Sequence, residues 1–243
     1  MSAGPLAVFD IGGTLVDGPD RGPARRLATL LGLEREQRRA LRDALMTRPF
    51  ESAAEVAGFV RDELGMPGPE AAVGELWEAQ EREAEPVAGA LEALTSLAEH
   101  GVRLALISNI WRPYLVSVRR HYGEFFDRHV PPPLQLYSFQ VECAKPSAAI
   151  FRQALAAAAV PASEAVMIGD SYAEDIEAAA AVGMATVWVR DDDADAANTG
   201  RPPGAVPIPP PRTVRSVAEV DFELVTEVTR ASAAGGGLAD PRG

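Results

Sequence analysis

Residues 6–14 read LAVFDIGGT. The run Leu6-Ala7-Val8-Phe9 is apolar throughout, as in a strand covered on both faces, and it ends in the carboxylate of Asp10. The glycine pair Gly12-Gly13 lets the backbone turn tightly straight afterwards. Outward from this stretch the same pattern recurs. VRLALIS (102–108), LYSFQV (136–141), AVMIG (165–169) and ATVWV (185–189) read as strands. Helical spacing over 89–101, 112–123, 147–160 and 174–183 separates them, and a last helix covers 217–230. Strands alternating with helices predict an α/β fold, a doubly wound, Rossmann-like parallel sheet.

Between the first two strands the rhythm is different. Residues 24–33, 34–46, 52–64 and 69–83 carry apolar side chains at three- and four-residue spacing, broken at Gly32, Pro49 and the Pro67–Pro69 turn. Few residues there are β-branched, so the block predicts a small helical insertion over 18–85. The sheet domain is then built from 1–17 and 86–231, with a disordered tail over 232–243. DDDADAANTG (191–200) reads as a solvated acidic loop and RPPGAVPIPPPR (201–212) as an extended edge segment.

Composition sets limits on partners. With 243 residues and 47% hydrophobic content the chain can fill a core, which excludes wholesale disorder. A net charge of −12 opposes the cationic face that nucleic-acid binding requires. No apolar run approaches the roughly 20 residues of a membrane span, and no basic segment followed by an apolar run opens the chain, so neither membrane insertion nor a signal peptide is expected. Cys143 has no second cysteine to pair with, which fits a reducing, cytoplasmic setting and a packing role. His100, His121 and His129 lack ligand spacing. Lys145 is the only lysine among 23 basic side chains.

In open parallel sheets ligands bind beyond the carboxyl ends of the strands. The polar groups expected there are Asp10, Ser108 with Asn109, and Gly169 with Asp170; Asp175 follows in the first turn of its helix, and Lys145 opens another. Carboxylate oxygens suit Mg²⁺, which takes one or two carboxylates together with substrate phosphate. Hydroxyl and ammonium donors suit phosphoryl oxygens. The residues alone thus predict a metal-assisted phosphoryl site.

Taken in order, these segments resemble the motifs of the haloacid dehalogenase-like (HAD) hydrolases. DIGGTLVD is similar to the first motif, D-x-D-G-T; LISN to the second; AKP around Lys145 to the third; GDSYAED to the fourth, G-D-x-x-x-x-D. The resemblance extends over about 5–230. It implies a Mg²⁺-dependent phosphatase of small phosphorylated metabolites, in which the helical block is a cap closing over the substrate. Asp10 would be the nucleophile that forms an aspartyl phosphate. Lys145 would assist it, and Ser108, Asn109 and Lys145 would hold the phosphoryl group. Asp10, Asp170, Asp175 and the carbonyl of Gly12 would hold the metal, with Asp175 either ligating it or orienting its waters. Oligomeric state is not implied.

One position departs from the pattern. Gly12 stands where the phosphatases of the family carry a second aspartate, the general acid and base. The family's dehalogenases have tyrosine there and use no metal, whereas this chain keeps Asp170 and Asp175; its phosphonatases have alanine and need a cap lysine, which is absent here. Gly12 leaves an alternative in place: a catalytically silent or weak HAD-like protein that binds a phosphorylated ligand or a protein partner. A sugar-kinase reading of D-x-G-G-T predicts nucleotide binding and fails on every later motif. Two further features sit near the expected cleft. Arg35, Arg38, Arg39 and Arg42 share one helix face, read as a solvated stripe paired with Glu34 and Glu36, or else as a draw for an anionic substrate. Trp111 follows the second motif and reads as core packing more than as cleft lining.

Overall fold

A computed structural model describes residues 4–19, 22–190 and 211–235. In chain order, β1 (Leu6–Phe9) leads into β2 (Val16–Asp17), then α1 (Pro23–Leu30), α2 (Arg35–Thr47), α3 (Ala53–Asp62), α4 (Glu70–Gln80) and β3 (Glu85–Pro86). There follow α5 (Ala90–Glu99), β4 (Arg103–Ser108), α6 (Arg112–His129), β5 (Gln135–Tyr137), α7 (Ser138–Val141), α8 (Ala148–Ala158) and β6 (Ala165–Gly169). A π-helical turn over Tyr172–Glu177 runs into α9 (Ala178–Ala181), and β7 (Ala185–Val189), β8 (Arg212–Val214) and α10 (Phe222–Gly235) complete the chain.

Six parallel strands form one sheet in the order β5-β4-β1-β6-β7-β8. The chain builds outward from β1 through β4 and β5, then returns to the other side of β1 for β6, β7 and β8. This reversal puts the topological switch point at β1, where a doubly wound sheet opens a crevice. Leu6, Ala7, Val8 and Phe9 are fully buried, as strands covered by helices on both faces must be. Phe9 aligns with Leu106 of β4 and with Ile168 of β6, so Asp10 stands one register step short of Ser108 on one side and of Asp170 on the other.

Helices α1–α4 bury a separate cluster that includes Leu27, Leu41, Leu45, Val56, Val60 and Val73, distinct from the cluster around the sheet. Both chain passages between the two run side by side, because β2 pairs antiparallel with β3. Trp111, at the start of α6, packs into the helical cluster, edge-on to Trp77 with ring centroids 5.5 Å apart, and its indole donates to Gln80 at 2.7 Å. Arg112 extends this contact by donating to the carbonyl of Phe50 and pairing with Glu51.

Some elements differ from the sequence-based expectation. LYSFQV is strand only as far as Tyr137; Ser138–Val141 is a helical turn. The buried Ser138 hydroxyl accepts from Ile110 N and donates to Ile110 O, which bends the chain toward the loop after β4. Helix α6 does not stop at Gly123 but continues to His129. Phe126 is fully buried and stacks on Tyr122, and burial of one such ring (about 1.5–3 kcal/mol) exceeds the cost of a helical glycine, about 1 kcal/mol. Helix α10 runs to Gly235, past the expected boundary at 231. The acidic loop at 191–200, most of the segment at 201–212 and the tail beyond 235 lie outside the described residues. Among those described, no helix is long and apolar enough to cross a membrane.

Candidate active site

The crevice at the switch point is built from four loops. Asp10 follows β1 and is fixed by its backbone N–H, which donates to Ile168 O at 2.9 Å. Ser108 ends β4, buried, and its hydroxyl has no partner among the described residues. Asp170 follows β6, with its carbonyl accepting from the Trp188 indole at 2.9 Å. Lys145 lies between α7 and α8, and its side chain crosses to the segments after β1 and β6.

Lys145 is the centre of the cluster. Its Nζ lies 2.8 Å from Asp10 Oδ1 and 2.6 Å from Asp175 Oδ1, and the residue is only 3% exposed. Burial by itself would lower the ammonium, but the Asp10 and Asp175 charges more than offset it and hold Lys145 above its ordinary range. Asp175, fully buried, also accepts from Ser171 N at 3.0 Å through Oδ2. Burial pushes its carboxyl up, Lys145 pulls it back, and Asp10 pushes it up again. Asp170 opens to solvent at the mouth, yet the surrounding protein and the charges of Asp10 and Asp175 raise it too. One oxygen from each of Asp10, Asp170 and Asp175 lies within 4.8 Å of the others.

Two glycines make that approach possible. A Cβ on Gly13, whose φ is +71°, would fall 2.4 Å from Asp170 Oδ2, and one on Gly169 would fall 2.3 Å from Asp175 Oδ2. Gly12 differs from both: a Cβ there meets nothing within 4 Å. Its isolated bridge to Val16 closes the turn, so the loop accepts glycine at 12 without requiring it.

Asn109 occupies the crevice in a role the sequence did not suggest. Its Oδ1 accepts from Lys145 N at 2.8 Å, and its Nδ2 donates to Lys145 O and to Glu174, both at 2.9 Å. The side chain expected to hold phosphate is therefore engaged in clamping the Lys145 backbone. Glu174, a variable position of the G-D-x-x-x-x-D pattern, links Asn109 to Arg42 of α2, whose Nη2 lies 2.5 Å away. Tyr114 donates weakly to Asp17 O at 3.3 Å, and burial with the Asp17, Glu83 and Asp10 carboxylates pushes its phenol up to about 12. Cys143 is a half-buried free thiol packed against the sheet core.

Residues 5–183 match the haloacid dehalogenase-like hydrolase family. The chain is 38% identical over 106 residues to glyceraldehyde 3-phosphate phosphatase of Pyrococcus abyssi, which covers 43% of this chain and 42% of that protein. It is 35% identical over 124 residues to ribulose-1,5-bisphosphate 5-phosphatase of Halopiger xanaduensis, covering 50% and 49%. The matched stretch thus spans about half of each curated relative. In three dimensions it resembles a HAD family enzyme from Bacteroides thetaiotaomicron in complex with magnesium and inorganic phosphate, with a TM-score of 0.59 over 82% of this chain and 100% of the other, at 17% identity. That likeness is one of fold. The family match runs from β1 through α9, taking in the Asp10–Lys145–Asp175 cluster and the helices inserted after β2, and the chain belongs to the haloacid dehalogenase-like hydrolases.

Proposed function

We propose that this chain is a Mg²⁺-dependent phosphatase of small phosphomonoesters, with α1–α4 as its cap. The observation that carries the reading is Lys145, the chain's only lysine, held between Asp10 and Asp175 beside a third carboxylate. The phosphatase relatives from Pyrococcus abyssi and Halopiger xanaduensis support it.

The donor set fits a hard divalent cation. Asp10 Oδ1 is buried and has no aligned hydrogen bond, although Lys145 is paired with it, and three carboxylates crowd one small volume. Asp10, Asp170 and the carbonyl of Gly12 would hold the ion. Both oxygens of Asp175 are already engaged by Lys145 and Ser171, which suits it to orienting the site. Bound there, Mg²⁺ would supply charge neutralisation between the carboxylates and the phosphoryl oxygens.

In this scheme Asp10 attacks phosphorus, its new O–P bond forms as the ester O–P bond breaks, and the leaving alkoxide takes a proton from water. A water molecule then cleaves the aspartyl phosphate, which regenerates Asp10 and releases inorganic phosphate. Lys145 and Ser108 steady the phosphoryl oxygens throughout, and Asn109 fixes where Lys145 stands. Gly12 offers no side chain to move either proton. That gap favours a second reading, binding of a phosphorylated ligand with little turnover. Phosphate release from a panel of phosphorylated metabolites, with and without Mg²⁺, tests both. Release that requires Mg²⁺ and disappears in Asp10→Asn supports the phosphatase. Thermal stabilisation by esters that are never hydrolysed supports the second reading instead.

A further inference from the structure

An open groove of about 1050 Å³ lies between α1 and α2. Arg25, Arg35, Arg38, Arg39 and Arg42 line it, with Asp43 as the only carboxylate. This is a concentration of positive charge in a chain whose net charge is −12. The expected pairing with Glu34 and Glu36 does not form. Glu34 caps α2, accepting from the backbone of Gln37, and neither acid makes an ion pair with the stripe. Arg39 reaches Asp43 only at 3.9 Å, and Arg42 pairs with Glu174. Arg25 and Arg35 have no carboxylate within 4.0 Å among the described residues. Arg38 donates to Leu33 O at 2.6 Å and makes no ion pair among the described residues. Like charges three and four residues apart on one helix repel, so a stripe with so few ion pairs is an arrangement that helix stability alone disfavours.

One end of the stripe approaches the crevice, where Arg42 pairs with Glu174, the neighbour of Asp175. Arg42 holds Glu174, Glu174 holds Asn109, and Asn109 clamps Lys145. From Arg42 the stripe runs back along α2 to Arg35, about 10 Å at 1.5 Å per residue. A molecule whose phosphate sits at Lys145 and that reaches past Glu174 would meet an open groove lined with guanidinium groups, whose planar forks match carboxylate and phosphate oxygens.

We infer that this groove binds a second anionic group on the substrate, so that the preferred esters carry a phosphate or carboxylate at the end remote from the one hydrolysed. The inference rests on the phosphatase reading and sharpens it from phosphomonoesters in general to dianionic ones.

Alkyl phosphates ending in a methyl, a carboxylate or a second phosphate, at two chain lengths, test it by kcat/KM. The matching phosphonates, which cannot be hydrolysed, test it by calorimetric Kd on the wild-type protein. A charged far end should improve both quantities by roughly 10-fold or more, as expected for charge-assisted hydrogen bonds. Arg25→Gln combined with Arg35→Gln breaks no ion pair seen here and should shrink that ratio toward one. The carboxylate and second-phosphate arms tell which anion the groove prefers. Equal binding of methyl-ended and charged phosphonates would overturn the inference even if esters are turned over. Preferential binding with no turnover of any ester would sink the phosphatase reading and leave the groove assignment standing. Tight, salt-sensitive binding of an RNA duplex that the same double variant abolishes would show that the groove serves a macromolecule, and would also overturn the inference.

Discussion

Replacing Gly12 by aspartate isolates the consequence of the missing side chain. The substitution is sterically open, since a Cβ at 12 meets nothing within 4 Å and the backbone is outside the left-handed region that confines Gly13. A general acid–base group contributes about 10²–10⁴-fold, or roughly 3–5 kcal/mol of barrier. A Cβ at 12 has no neighbour within 4 Å to pack against, so only part of that is recoverable, and alkyl phosphate turnover should rise ~10-fold or more. Aryl phosphates, whose leaving groups need little protonation, should gain less in the first step. Because hydrolysis of the intermediate also lacks a base, wild-type protein should accumulate phosphorylated Asp10 on an aryl ester, and Gly12→Asp should drain it. The assay is kcat/KM on aryl and alkyl esters for both proteins, with intact-mass detection of the phosphoenzyme. A fast wild type on alkyl esters that Gly12→Asp slows would refute the reasoning, since another group must then be moving the proton.

Lys145→Arg keeps the charge but should lose activity by about 100-fold or more in steady-state assays, the usual cost of one lost charge-stabilising donor, because a planar guanidinium cannot occupy the compact site between Asp10 and Asp175; full activity would make Lys145 peripheral. Gly169→Ala should lower thermal stability by about 1–3 kcal/mol and abolish turnover, since its methyl would fall 2.3 Å from Asp175 Oδ2; an unchanged melting curve would contradict this. Mg²⁺ at about 100 times its Kd should stabilise the protein by about 2.7 kcal/mol, and Asp170→Asn should remove that shift in calorimetry; retention of the shift would place the ion elsewhere.

Much of this arrangement was legible in the sequence because it depends on local signals. Asp10, Ser108 and Asp170 each terminate an apolar run, and a parallel sheet brings such termini together whatever the details of packing. The sole lysine next to a proline marked the third loop. What the sequence does not carry depends on contacts between distant segments. Arg42 and Glu174 are 132 residues apart, and their pairing follows from where the helical bundle docks, which no spacing rule encodes. Nothing local in the sequence indicates that the Asn109 amide turns toward the Lys145 backbone. The end of β5 is hidden for the same reason, since Ser138 bends the chain to reach Ile110.

The solitary lysine has a further consequence, in the chemistry of labelling. Amine-directed reagents have one side-chain target in this protein, and in the folded state it is 3% exposed and paired with two carboxylates. Acylating agents, aldehyde cross-linkers and lysine-modifying enzymes can reach it only when those ion pairs part and the crevice opens. The rate at which Lys145 becomes modified, followed by mass spectrometry, is therefore a clock for opening of the crevice. Any phosphate analogue that keeps the crevice closed should slow that clock without a chromophore or an engineered probe.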